Sequence, residues 1–374
     1  MKNLALLTPL SCPLQPGLVR AGRLCLDTVN RRVYIAECAS GIVTVRCMKP
    51  SKAAYGGSAC QHDLLVEFPI DDASGPQEDA DQPSHIVHSQ YLAEYDTICL
   101  AISTGELYTI PAAGQDTLDA TMAECVGHVA SGIKCMAWSP DEELVVGAGA
   151  DDLLLMTSEF EVLSEKPLHS IDEGEDVAVN VGWGRKETQF HGSLGKQAAL
   201  APSTMPTSSI KQAPDETGAV IVSWRGDGSY FVCSALDPQR ACTALMLLGH
   251  RLLRMFNREG LLQNTSEPTD ALSPSLHWRP SGNWITTTQH QPHRQVVVLF
   301  ERNGLRRHEF PLLDAQSKVK SILWNADSTI LALWLVLPSG QQVVQLWTTS
   351  NYEWYLKQHL PVDHMVDVDD DDDE

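Results

Sequence analysis

Thirteen histidines and forty-eight acidic residues could supply acid–base or metal chemistry, so their spacing is weighed first. His85 and His88, in "PSHIVHSQ", stand three residues apart beside an acidic stretch. A zinc site needs two further ligands at supporting spacing, and none is apparent, so ordinary loop or strand histidines are the simpler reading. "GSLGKQ" (192–197) echoes a phosphate-binding loop, but Phe190 stands where the motif requires glycine and Gln197 replaces its hydroxyl residue. The motifs HExxH and GxSxG are absent. "DDASGPQEDADQ" (71–82) holds carboxylates without the order of a calcium loop. Ten cysteines (Cys12, Cys25, Cys38, Cys47, Cys60, Cys99, Cys125, Cys135, Cys233 and Cys242) form no CxxC and no Cys/His zinc pattern. Such scatter suits buried free thiols in a reducing compartment. No catalytic residue, metal site or cofactor is expected.

Charge narrows the partners. The formal net charge is −21, and the chain stays acidic without the seven carboxylates of its "DVDDDDDE" tail. Such a surface repels phosphate backbones. Two small basic clusters, Arg251, Arg254 and Arg258, and Arg302, Arg306 and Arg307, lie at strand–turn positions. They read as solvated faces, with a local phosphate-contacting patch as the alternative. No window of about eighteen residues is apolar throughout, so no membrane-spanning helix is expected. The opening "MKNLALLTPLSCPLQPG" is cut by Pro9 and Pro13 and does not read as a signal peptide.

The elements that would position any of these groups form a repeat. "CMAWSPDEELVVGAGA", "VIVSWRGDGSYFVCSA", "SLHWRPSGNWITTTQ" and "SILWNADSTILALWL" align on Trp138, Trp224, Trp278 and Trp324. Each gives a strand, the tryptophan, a turn rich in Pro, Gly, Asp or Ser, then a strand. Trp183 divides the widest gap, which leaves spacings of 45, 41, 54 and 46 residues. A unit of that length built of short strands has the period of a β-propeller blade. Each clear copy continues into a second hairpin, as in "VVVLFERNGLRRHEF". Nearer the N-terminus, "RRVYIAECASGIVTVR" and "YDTICLAISTGELYTI" align Gly41 with Gly105 as the first two blades. The expectation is an all-β, seven-bladed WD40-like propeller over 1–362. It carries a long loop at about 192–217 and a disordered acidic tail at 363–374. The four tryptophans are expected to pack between sheets, and residues 3–8 to complete the last blade.

The fourth copy departs from its siblings. After "VNVGWG" it runs "RKETQFHGS" where they turn at once. Trp183, Arg185, Lys186, Glu187, Phe190 and His191 therefore form either a worn blade with an extended turn or a docking loop on the propeller face.

"GWGRKETQFHGS", with "AWSPDEEL", "WRGDGSYF", "LWNADSTILALW" and "QLWTTSNYEWYLKQ", resembles the N-terminal region of the largest, scaffold subunit of the Elongator complex, from about residue 1 to 360. The resemblance implies two N-terminal propellers followed by helical repeats that dimerise. It implies a cytoplasmic assembly, with a nuclear pool allowed, that modifies wobble uridines of transfer RNA. There a separate subunit, with an iron–sulfur cluster and S-adenosylmethionine, performs the chemistry. The expected role is a non-catalytic platform for other Elongator subunits, including the catalytic one. Transfer RNA would be met only indirectly, and no membrane is involved. This chain passes from one propeller into the acidic tail, so homodimerisation through the helical region is not expected of it. Two rivals stand: a peptide-binding propeller outside Elongator, and a propeller enzyme with carboxylates converging in the central channel.

Overall fold

The computed structural model describes residues 23–49, 62–70, 83–112, 123–169, 212–237, 250–314, 316–350 and 353–362. Twenty-four strands and no helix occur among them. They form six sheets, each a four-stranded antiparallel meander with its strands in chain order.

The chain divides into two compact units, Met1–His169 and Ser170–Glu374. The first unit holds three sheets. β1 (Arg23–Asp27), β2 (Arg32–Ala39), β3 (Ile42–Met48) and β4 (His62–Pro69) make the first. β5 (Ile86–Leu92), β6 (Thr97–Ile102), β7 (Glu106–Pro111) and β8 (Glu124–His128) make the second. β9 (Cys135–Trp138), β10 (Leu144–Ala148), β11 (Asp152–Thr157) and β12 (Val162–Pro167) make the third. The second unit repeats the plan. Its first sheet is β13 (Ile221–Trp224), β14 (Tyr230–Asp237), β15 (His250–Asn257) and β16 (Leu262–Thr265). Next come β17 (Leu272–Trp278), β18 (Trp284–Gln291), β19 (Arg294–Glu301) and β20 (Arg306–Pro311). Last are β21 (Lys318–Trp324), β22 (Leu331–Val336), β23 (Gln342–Ser350) and β24 (Glu353–Val362).

Burial explains the composition of the strands. β19 is buried over six consecutive residues because both faces of its sheet are covered. Val296, Val298 and Phe300 join the core shared with β14, β15 and β17, while Val297 and Leu299 join the core shared with β21, β22 and β23. The period of two along one strand thus feeds two cores. The fourth strands sit at sheet edges and expose alternate residues, most plainly in β24.

One register runs through all six sheets. Leu26, Tyr91, Trp138, Trp224, Trp278 and Trp324 pair with Val33, Ile98, Val145, Phe231, Ile285 and Leu331, always seven residues on. The four tryptophans are buried, and Tyr91 holds the same position in the second sheet, stacked on Tyr34 at 5.8 Å. Each pairing of third with fourth strand carries a register shift. Gly260 and Gly304 supply the positive φ that such bulged turns demand, and Phe160 adopts it at the corresponding place.

The blade expected to begin at Trp183, residues 3–8 and the acidic tail lie outside the described residues. Most of the long loop does too; its last part, residues 212–217, is described. The last sheet draws all four strands from its own segment, 318–362.

Candidate interaction rim

The connections between first and second strands have one length, six residues between the paired positions, in all six sheets. In the second unit they span residues 225–230, 279–284 and 325–330, and hydrogen bonds lock them into a row. Gly226 N donates to Pro280 O at 3.1 Å. Ser281 N donates to Ser328 Oγ at 2.7 Å, and Arg279 Nε to Ser328 O at 3.0 Å. Glycine is required at 226 because a Cβ there would fall 2.6 Å from Pro280 O. Asp227 Oδ1 accepts from Ser229 N and Oγ at 3.1 and 2.7 Å. Burial by itself would raise the pKa of Asp227, but these bonds and Arg225 outweigh it, and the net shift is downward.

Arginines stacked on rings decorate this row. The Arg279 guanidinium lies 5.3 Å from the Trp284 ring and 5.2 Å from the Trp324 ring. Tyr230 carries Arg302 at 4.7 Å and Arg225 at 5.8 Å, and stacks on Trp278 at 6.3 Å. Burial lowers the pKa of Arg279, although an arginine stays charged at neutral pH. Its terminal nitrogens find no hydrogen-bond partner among the described residues, and Arg302 has neither hydrogen bond nor ion pair there. The residue after the marker position is Arg225, Arg279 or Asn325 in this unit, against Asp27, Leu92 or Ser139 in the first. Two of the first unit's three turns are anionic instead: Glu94, Asp96, Asp141, Glu142 and Glu143 lie there, and Glu142 Oε2 accepts from Ala93 N at 3.0 Å, while the turn after β1 carries Arg31.

A second polar concentration is buried between sheets of the same unit. Arg251 donates to Glu216 through Nε at 2.8 Å and to Ser234 Oγ at 3.0 Å. Arg254 Nη2 meets Asp237 Oδ2 at 2.6 Å. Both arginines are almost fully buried, which corrects the solvated face expected of them: each has found a carboxylate, the condition for burying a guanidinium. Arg258 donates to Gly228 O at 3.2 Å. Beside them, Asp215 Oδ1 lies 3.1 Å from His290 Nε2 and accepts from Ser273 Oγ at 3.1 Å. Burial would raise the pKa of Asp215; its bond to His290, that residue's charge and Ser273 outweigh it and lower the pKa. Ser, His and Asp are all present, but serine and histidine both bond to the aspartate. Nucleophilic catalysis needs the serine on the histidine. This arrangement clamps residues 215–216 across two sheets.

Other sequence candidates are placed as follows. Arg306 pairs with Glu309, and Arg307 with Glu301 at 3.0 Å, so of the second basic cluster only Arg302 leaves its charge uncompensated among the described residues. His85 Nδ1 lies 3.4 Å from Pro83 O. His88 Nε2 is buried without a hydrogen-bond partner among the described residues, and burial, with Arg23 nearby, pushes the His88 pKa down to about 4. No group of three or more His, Cys, Asp or Glu suited to a metal occurs among the described residues. Cys25, Cys38, Cys47, Cys99 and Cys233 are buried, Cys135 is half-buried and Cys125 is exposed. Trp183, Arg185, Lys186, Glu187, Phe190 and His191, with the 71–82 and 192–197 segments, lie outside the described residues. Sequence reading missed Arg225 and Arg279. Their signal was the Trp-Arg pair that opens two of the four clear turns.

A family model described as the ELP1 first N-terminal beta-propeller matches residues 1–370. Elongator complex protein 1 of Mus musculus is 43% identical over 285 residues, which cover 74% of this chain and 20% of that protein. Its counterpart in Schizosaccharomyces pombe is 34% identical over 307 residues, 80% of this chain and 23% of that protein. The chain thus spans about a fifth of the length of the curated relatives it matches. Among solved structures, the WD40 domain of Toxoplasma gondii coronin superposes with a TM-score of 0.54 at 9% identity, covering 90% of this chain and 69% of that one, a likeness of fold alone. An all-β WD40-like propeller with this family match along nearly its whole length belongs to the Elongator complex protein 1 family, as its first N-terminal β-propeller.

Proposed function

We propose that the chain is a non-catalytic scaffold propeller of the Elongator complex, presenting rigid turns to other subunits, including the catalytic one. In this reading wobble uridines of transfer RNA are modified in the cytoplasm by that separate subunit, and this chain meets the RNA only indirectly. The family match across residues 1–370 carries the reading. Physical support comes from the sheets. Turns fixed by backbone hydrogen bonds on four-stranded blades hold a surface steady, which lowers the ordering cost of docking. The Asp215 cluster is a structural clamp in this reading, since its histidine faces the carboxylate and leaves the serine without a base.

The test is co-purification of the full chain with the catalytic subunit. Retention by the native sequence, and its loss when residues 185–191 are replaced by a Gly-Ser linker, supports the reading and the docking loop together. Retention by both variants removes the loop but keeps the scaffold. No retention by the native chain favours a peptide-binding propeller outside Elongator.

A further inference from the structure

We infer that the turn row 225–230, 279–284 and 325–330, together with Arg302, is a receptor for a short Asp/Glu-rich segment of a partner protein. The inference goes beyond scaffold membership and does not depend on which assembly the chain enters.

Three observations carry it. The first is preorganisation. Arg279 is fixed between two indole rings and tied by Nε to Ser328 O, so its terminal N–H groups are held in one direction without a protein acceptor among the described residues. A planar fork with its orientation already set suits bidentate contact with a carboxylate. The second is grouping. Arg225 and Arg302 share one ring, and the loop bearing Arg225 is bonded to the loop bearing Arg279, so three guanidiniums belong to one rigid row. Arg225 is paired with Asp227 at 3.5 Å; Arg302 has no ion pair among the described residues.

The third observation chooses the ligand. A single-stranded nucleic acid binds by stacking bases on open aromatic faces along a positive groove. Here Tyr230 is covered by Arg302, Arg225 and Trp278, and Trp324 by Arg279 and Trp354. The rim therefore offers guanidinium edges and withholds ring faces. The net charge of −21 repels an anion in proportion to that anion's charge, so the ligand is a short one. An acidic protein segment fits both conditions.

The test is fluorescence anisotropy of a labelled hexapeptide of alternating Asp and Glu, titrated with the full chain. A labelled hexauridylate of similar charge runs in parallel. Saturable binding of the peptide is expected. Arg279→Ala and Arg302→Ala should each weaken it about tenfold, the scale of one charge-assisted contact. Arg279→Lys should weaken it comparably, because an ammonium cannot present the fork. Arg307→Ala, which removes an exposed arginine already paired with Glu301, should leave affinity unchanged. Arg302 has no hydrogen bond among the described residues, so Arg302→Ala keeps the test valid if Arg279→Ala melts early. No peptide binding, equal affinity in Arg302→Ala and the native chain, or tighter binding of the hexauridylate overturns the proposal.

Discussion

At the scale of single residues, the decisive property is whether a charge found a partner on folding. Arg251, Arg254, Arg302, Arg306 and Arg307 look alike in the sequence, yet two are buried in ion pairs, two pair at the surface and one lies on a ring. The carboxylates of the two buried arginines come from other parts of the chain, Glu216 being 35 residues from Arg251 and Asp237 17 residues from Arg254, so local spacing held no record of them. Arg254→Ala would remove the guanidinium paired with Asp237 in a low-dielectric interior and should cost about 3–5 kcal/mol in urea unfolding. His88 offers a test in pH. Its folded pKa, pushed to about 4 from 6.5, means the unfolded chain accepts a proton that the folded chain resists. Its contribution is complete above pH 6.5 and is lost as the pH falls toward 4. The stability of His88→Gln, measured alongside the native chain, should therefore fall less steeply across that window.

At the scale of elements, the meander was legible because four first strands end on a tryptophan followed by turn residues, and each tryptophan pairs with the residue seven positions on across the hairpin. The first two sheets were harder to read since Leu26 and Tyr91 replace tryptophan there, while the same seven-residue pairing persists. The linkage between neighbouring turns was not legible, since it is made by main-chain atoms that every residue possesses. Gly226 shows its cost. Gly226→Ala would drive a methyl group against the backbone of Pro280 and separate two turns that now share a hydrogen bond. A loss of about 1–3 kcal/mol is expected from such overpacking, read as a lower denaturation midpoint at unchanged m-value. The same substitution should weaken acidic-peptide binding, although residue 226 carries no charge, because it displaces Arg225 from Arg279. Gly282→Ala meets no atom within 4 Å, so its effect should be limited to the strain of a positive φ and should leave binding intact.

At the scale of the whole molecule, charge sets the kinetics that local geometry cannot. A basic groove that captures an acidic ligand speeds association at low salt, and added salt slows it. This chain has cations only at a local rim inside a net charge of −21, so a distant acidic ligand meets repulsion before it meets arginine. Screening acts first on the longer range, the Debye length being about 10 Å at 0.1 M. The association rate of the acidic hexapeptide should therefore rise as salt is added from low concentration, while dissociation also quickens as the arginine contacts weaken. Deleting residues 363–374 removes eight carboxylates and should raise the low-salt association rate without changing dissociation. Stopped-flow anisotropy on the native and shortened chains separates the two effects. An association rate that falls steadily with salt in both chains would mean that attraction reaches far beyond the rim, and that the arginines at the turns do not act alone.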